Sequence, residues 1–203
     1  MATLSSLSAE ELGSSAQRDR RRRILEATIA LASSGGFDAV QMRAVAERAD
    51  VALGTLYRYF PSKIHLLVSA LSKQFDESQA AASRRQAPGD TPAERVDYVL
   101  LRATRALQRD PNLTEALTRA FMFADASVAG EIHVVGMQVT GMITRAMNGA
   151  DYVEGEEPTE EDIAISRVIS DVWLSALVAW VTGRFTAEEV GEHVSTAVRL
   201  LLR

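Results

Sequence analysis

Apolar residues recur along this chain at three- and four-residue intervals, and nowhere do they alternate with polar ones over the length of a strand. That spacing predicts an all-α protein of about nine helices. A first stripe, Ile24, Leu25, Thr28, Leu31 and Ala32, is stopped by Gly35-Gly36. Met42, Val45, Ala46 and Ala49 make a short second run, and a turn at residues 50 to 52 leads into a third that ends before Pro61. Two short helices joined by a tight turn read as a helix-turn-helix, with the second as the reading helix. Ser62 is the natural cap of a long helix over about residues 62–85, striped by Ile64, Leu67, Val68, Leu71 and Phe75. Gln86 to Asp90 breaks the pattern and marks a domain edge.

Beyond the break the helix starts are well marked. Thr91-Pro92-Ala93-Glu94 and Thr186-Ala187-Glu188-Glu189 each place a glutamate three residues after a capping threonine, and Asp110-Pro111 and Thr159 open two more helices. Asp151 to Asp162 holds seven acidic and no basic residues and reads as a solvated loop. From Ile163 to Val181 apolar residues wrap most of the way round, so that helix needs a second partner besides its own core. With the stripe of the last helix it suggests an isologous dimer interface drawn from Val172, Ala176, Val190, Val194, Val198 and Leu201.

Composition narrows the function. Among 203 residues there is no cysteine, which excludes disulfides, thiolate zinc and a thiol nucleophile, and suits a reducing cytoplasm. No basic-then-apolar leader and no run of 18 apolar residues is present, so neither a signal peptide nor a membrane partner is expected. The net charge of −5 hides an asymmetry. Arg18 to Lys63 carries nine basic against five acidic residues, a local +4, whereas residues 64–203 carry 13 against 20, a local −7. A basic module on an acidic body fits a DNA reader with a separate regulatory domain. Residues 1–17 lack a period and read as a disordered tail.

The stretch V-A-L-G-T-L-Y-R-Y-F-P-S-K, Val51 to Lys63, crowds a glycine, a hydroxyl, two tyrosines and an arginine into one short helix. Phosphates and base edges need that mixture, and a core does not. Thr55, Tyr57 and Arg58 are candidate phosphate and base contacts, with Gly54 allowing close backbone approach and Leu53 within reach of a thymine methyl. Tyr59 divides between a phosphate contact and packing; Leu56 and Phe60 read as core. Gln41 and Arg43, with Met42 ambiguous, would lie over the backbone, and Lys63 at a helix start is a further phosphate candidate. Arg20, Arg21 and Arg22 belong to an arginine run at the apparent N-terminus of the first helix. That is the wrong end for the macrodipole, which suggests an anionic partner such as a phosphate or the adjacent minor groove.

Enzymatic chemistry has no support. His65, His133 and His193 stand far apart in sequence, none has a metal-ligand neighbour at helical spacing, and no nucleophile elbow or phosphate loop is present; no metal or other cofactor is expected. His65 reads most simply as a surface residue. A hydrophobic effector cavity is the alternative use of the acidic body. Phe121, Met122, Phe123, Met137, Met142, Trp173 and Trp180 are candidate wall residues, with Leu100, Thr104 and Leu177 beside them, although methionine and aromatic residues at helical spacing also serve as core. Gly136 and Gly141 would give a ring system room to approach.

These residues resemble a known family. A-T-I-A-L-A-S-S-G-G-F-D-A (Ala27 to Ala39) followed by M-R-A-V-A-E-R-A-D-V-A-L-G-T-L-Y-R-Y-F-P-S-K (Met42 to Lys63) is similar to the DNA-binding domain of TetR-type bacterial repressors. The resemblance implies a helix-turn-helix domain over residues 18–63, a ligand-binding and dimerising helical body over 64–203, and a homodimer on an inverted-repeat operator in double-stranded DNA. More narrowly, the segments Arg18 to Thr28, Gln41 to Ala46, Leu113 to Ser127 and Arg167 to Trp180 resemble actinobacterial TetR-type repressors of cholesterol catabolism. That implies a sterol-derived effector such as a CoA thioester, with a drug or a fatty acyl-CoA as the alternative. Asp50, Ala52 and Leu53 depart from the family pattern, where a turn glycine, a capping serine and a lysine are usual. The departures bear on the operator bases, and the missing cap is worth about 1 kcal/mol unless Asp50 replaces it.

Overall fold

The computed structural model describes residues 9–82, 86–153, 155 and 157–202. Among them lie nine α-helices and no strand: α1 (Ala9–Ala39), α2 (Met42–Arg48), α3 (Leu53–Tyr59), α4 (Lys63–Ala82), α5 (Pro92–Gln108), α6 (Pro111–Met122), α7 (Ala129–Asn148), α8 (Glu160–Val181) and α9 (Ala187–Leu201). The threonines read as caps do cap. Thr91, Thr159 and Thr186 each accept from the backbone amide three residues on, and Glu94, Asp162 and Glu189 each close the box in return.

Two expectations at the N-terminus are corrected. Residues 9–17, read as disordered, continue α1; residues 1–8, the rest of that tail, lie outside the described residues. The arginine run therefore sits beyond the first turn of its helix, where the macrodipole has faded, and the electrostatic argument for an anionic partner fails. Arg22 is instead paired along the helix with Asp19 and Glu26 at 3.3 and 3.2 Å, which raises its pKa through hydrogen bonds to those two carboxylates. The glycine break is where expected, since Gly35 and Gly36 leave helical geometry inside α1, Gly36 with φ of 67°.

Two hydrophobic cores form. The first is built on α1 to α4, through residues such as Ile24, Val45, Leu56, Phe60 and Leu67, and is completed by Leu113, Ala116, Leu117 and Ala120 of α6 and by Val128 and Val135. The second joins α5, α7, α8 and α9 around Leu100, Ile143, Ile169, Trp173 and Val194. The reading module thus shares its core with a helix of the body. α8 is long and apolar enough by composition alone to cross a membrane, yet it packs on α6, α7 and α9 as a core helix does.

Candidate nucleic-acid interface and effector cavity

α2 and α3 present one outward face. Leu56 and Phe60 are buried as expected, which fixes the rotation of α3 and leaves Leu53, Gly54, Tyr57 and Arg58 exposed on the other side. A residue added at Gly54 would meet nothing within 4 Å, so the backbone there is open to approach. Thr55 is half-buried; Tyr59 packs against the first core beside Phe60. Gln41 caps nothing with its side chain, which donates instead to the Asp38 carbonyl at 2.9 Å, and Arg43 points outward near Glu47. Met42 is half-buried against the first core. Arg21 lies over the Phe60 ring, and Arg20 is half-buried.

The turn between the two helices carries a cost. Asp50 adopts a left-handed conformation, φ 52°, and its side chain is fully exposed; Ala52 stands at the N-cap of α3 and offers no side-chain cap. Asp50 therefore does not replace the missing serine.

His65 corrects the sequence reading, and Lys63 has partners that the sequence did not announce. The Lys63 ammonium sits 3.8 Å over the Phe37 ring, and burial there lowers its pKa, against the opposing field of Asp38. Arg119 of α6 lies 4.4 Å over the same ring, 3.7 Å from Asp38 and 3.5 Å from Glu115. Lys63 thus belongs to a junction between α1, α4 and α6. His65, expected at the surface, is 8% exposed. Its Nε2 donates to the Ser127 carbonyl at 3.0 Å and its Nδ1 lies 2.9 Å from the Ser62 hydroxyl, so it ties the start of α4 to the loop before α7.

α6 has two faces with different duties. Toward α1, the Asn112 amide donates to the Ser33 carbonyl at 3.1 Å, and the Glu115 carboxylate accepts the Phe37 amide at 2.8 Å. Thr114, Leu117, Thr118 and Phe121 line an apolar cavity of about 130 Å³, closed by residues of α4, α5, α7 and α8. Of the wall residues expected from sequence, Phe121, Trp173 and Leu177 are present, and so is Gly136.

The others are elsewhere. Met122, Phe123 and Met137 are 57%, 68% and 51% exposed, because the corner after α6 and the outer face of α7 turn them to solvent. Leu100, Met142 and Trp180 pack in or on the second core without reaching the cavity, and Gly141 also stays off its wall. Thr104 is buried and accepts the Trp173 indole proton at 2.9 Å; it lines a separate polar groove between α5 and α9. The dimer stripe needs a similar correction. Val190, Val194 and Val198 are wholly buried against α5 and α8, and Ala176 nearly so, since a stripe at helical spacing serves the chain's own core first. Val172 is half-buried and Leu201 exposed. The large apolar residues left outward on α8 are Ile163 and Val168, and on α9 Leu200 and Leu201.

Comparison with known proteins places this geometry. Residues 24–70 match the model of bacterial regulatory proteins of the tetR family, and residues 89–201 that of the tetracyclin repressor-like C-terminal domain. The chain is 56% identical to the HTH-type transcriptional repressor KstR of Mycolicibacterium smegmatis over 202 residues, covering 100% of this chain and 96% of that protein. It is 55% identical to KstR of Mycobacterium tuberculosis, covering 97% and 86%. A crystal structure of a TetR transcriptional regulator from Rhodococcus sp. RHA1 superposes with a TM-score of 0.82 at 34% identity, covering 92% and 97%. The fold also matches that of Thermus thermophilus FadR in complex with lauroyl-CoA, with a TM-score of 0.69 at 19% identity and coverage of 90% and 93%.

Proposed function

The chain belongs to the TetR family of bacterial transcriptional repressors, and from that premise we propose that it is a homodimer released from an inverted-repeat operator by a sterol-derived effector. Residues 18–63 act as the reading head and residues 64–203 as the sensing and dimerising body, in the cytoplasm where the operator is. The outward face of α3, with Leu53, Gly54, Thr55, Tyr57 and Arg58, enters the major groove, while Gln41 and Arg43 of the α2 end lie over the phosphates. Two copies meet through the outer faces of α8 and α9.

The observation that carries the release mechanism is the double duty of α6, which walls the cavity on one side and holds α1 on the other. A cavity of about 130 Å³ is smaller than the roughly 300 to 1,000 Å³ of sites that hold drug-sized ligands. A sterol nucleus therefore has to push its walls apart. Displacement of α6 shifts α1 and, through the Phe37 junction, the start of α4, which changes the separation of the two reading heads. A coupling of about 1 to 3 kcal/mol suffices for induction. The CoA thioester of a sterol side-chain acid is the effector we favour, on the likeness to KstR repressors.

The test is a gel shift on inverted-repeat DNA with a salt series, repeated with sterols, their CoA thioesters and fatty acyl-CoAs. The proposal requires steep loss of affinity with salt and release by a sterol thioester at concentrations where fatty acyl-CoA has no effect. Release by fatty acyl-CoA alone would replace the sterol with the runner-up.

A further inference from the structure

The cavity wall contains four polar side chains, and three of them are spoken for or lie at the rim. The Thr114 hydroxyl donates to the Leu107 carbonyl at 2.7 Å, the Ser170 hydroxyl donates to the Ser166 carbonyl at 2.6 Å, and Asp171 is exposed. Thr118 differs. It is 7% exposed, lines the cavity, and its hydroxyl has no hydrogen-bond partner among the described residues. A hydroxyl on the wall of a small apolar cavity, with no partner in the protein, gains a bond from a ligand atom that accepts its proton. Thr144 of α7 is likewise buried without a partner but stays off the cavity wall, and two other threonines buried in helices show the alternative. Thr28 spends its proton on the carbonyl four residues back, and Thr104 accepts from Trp173.

We infer that Thr118 is the specificity-determining residue of the effector cavity, donating a hydrogen bond to a ketone or hydroxyl oxygen on an otherwise apolar ligand. The inference rests on the effector reading above and sharpens it. Leu71, Phe75, Leu117 and Leu177 supply apolar contact that any hydrocarbon of suitable shape could exploit. Only the oxygen distinguishes an oxidised ring system from its parent, because a site built to bond an oxygen rejects the analogue that lacks it. The position has a second consequence. Thr118 stands three residues from Glu115 on the same helix, so a ligand held by Thr118 pulls on the helix that holds Phe37.

The experiment measures binding of three steroids, 5α-androstane, 5α-androstan-3-one and 5α-androstan-17-one, delivered from cyclodextrin and read by tryptophan fluorescence. The full-length wild type should bind at least one ketone about 10-fold more tightly than the hydrocarbon. Thr118→Val, which keeps the shape and removes the hydroxyl, should bring that ketone down to the level of the hydrocarbon, and Thr118→Ser should keep most of its advantage. Equal binding of all three steroids by the wild type overturns the inference, as does a ketone preference that survives in Thr118→Val. Binding of none of them by the wild type overturns the sterol reading itself, and the inference with it.

Discussion

The backbone amide of Phe37 donates to the carboxylate of Glu115 across 2.8 Å, and 78 positions of sequence separate the two. Glu115 is thereby the body's hold on the last turn of α1. The space around it is tight, since a side chain at Gly36 would come within 2.8 Å of the same carboxylate, at a backbone φ of 67°. Glu115→Ala should cost about 1.5 to 3 kcal/mol by removing a charge-assisted bond from a partly buried amide. It should also reduce the change in operator affinity that effector produces. Urea denaturation and gel shifts with and without effector check the two effects separately.

Tyr57 is 46% exposed and makes no contact that the fold needs. Tyr57→Ala should leave the melting temperature within about a degree or two, as surface changes of under 0.5 kcal/mol do. Specific operator binding should be lost at the same time, leaving only salt-sensitive association. Fluorescence anisotropy with operator and scrambled duplexes distinguishes these outcomes.

Asp50 occupies a left-handed turn that a glycine adopts without penalty. Asp50→Gly should stabilise the protein by up to about 1 kcal/mol, because the exposed pair with Arg23 at 3.8 Å contributes little against the relief of strain. Removing a negative charge beside the reading helix should also tighten DNA binding at low salt and less so at high salt. Thermal unfolding and a salt titration measure both.

The dimer reading separates two valines, one on α8 and one on α9, that are opposite in burial. Val168→Glu, on the outer face of α8 at 47% exposure, should give a folded monomer that has lost operator binding. Val194→Glu, wholly buried in the second core, should instead unfold the body. Sedimentation velocity with circular dichroism tells a monomer from an unfolded chain.

The caps bring in pH. Backbone and side-chain bonds from Thr186 hold the Glu189 carboxyl below its ordinary pKa. A depressed acid contributes stability above its unfolded pKa and loses it as pH falls through the folded value. Lowering the pH below about 4.5 should therefore erode α9, and Glu189→Gln should flatten that part of the profile. Thr186→Ala should cost about 1 kcal/mol at neutral pH.

Helices and caps were legible because their signals are local: Thr91, Thr159 and Thr186 announce their helices within four residues. The reading face was legible for a similar reason, since Leu56 and Phe60 set the rotation of a seven-residue helix. What a side chain meets across the fold was not. Nothing near Lys63 in sequence announced that Phe37 and Arg119 would be brought to it. A valine at helical spacing carries no mark of whether its partner is α5 or a second copy, and Val190, Val194 and Val198 proved to face inward. The methionines failed as cavity markers because flexible apolar side chains suit an exposed corner as well as a pocket. Thr118 gave no sign at all, since its distinction is a bond it does not make.

The residues of α6 that hydrogen-bond to α1, Asn112 and Glu115, do not line the cavity, although Leu117 serves both the cavity wall and the first core. Effector preference and the transmission of its signal can therefore be altered one at a time. A biosensor engineer could randomise Thr118, Leu174 and Leu177 to accept new steroids while Asn112 and Glu115 keep their hold on α1, and selection on a single promoter would suffice for every new analyte.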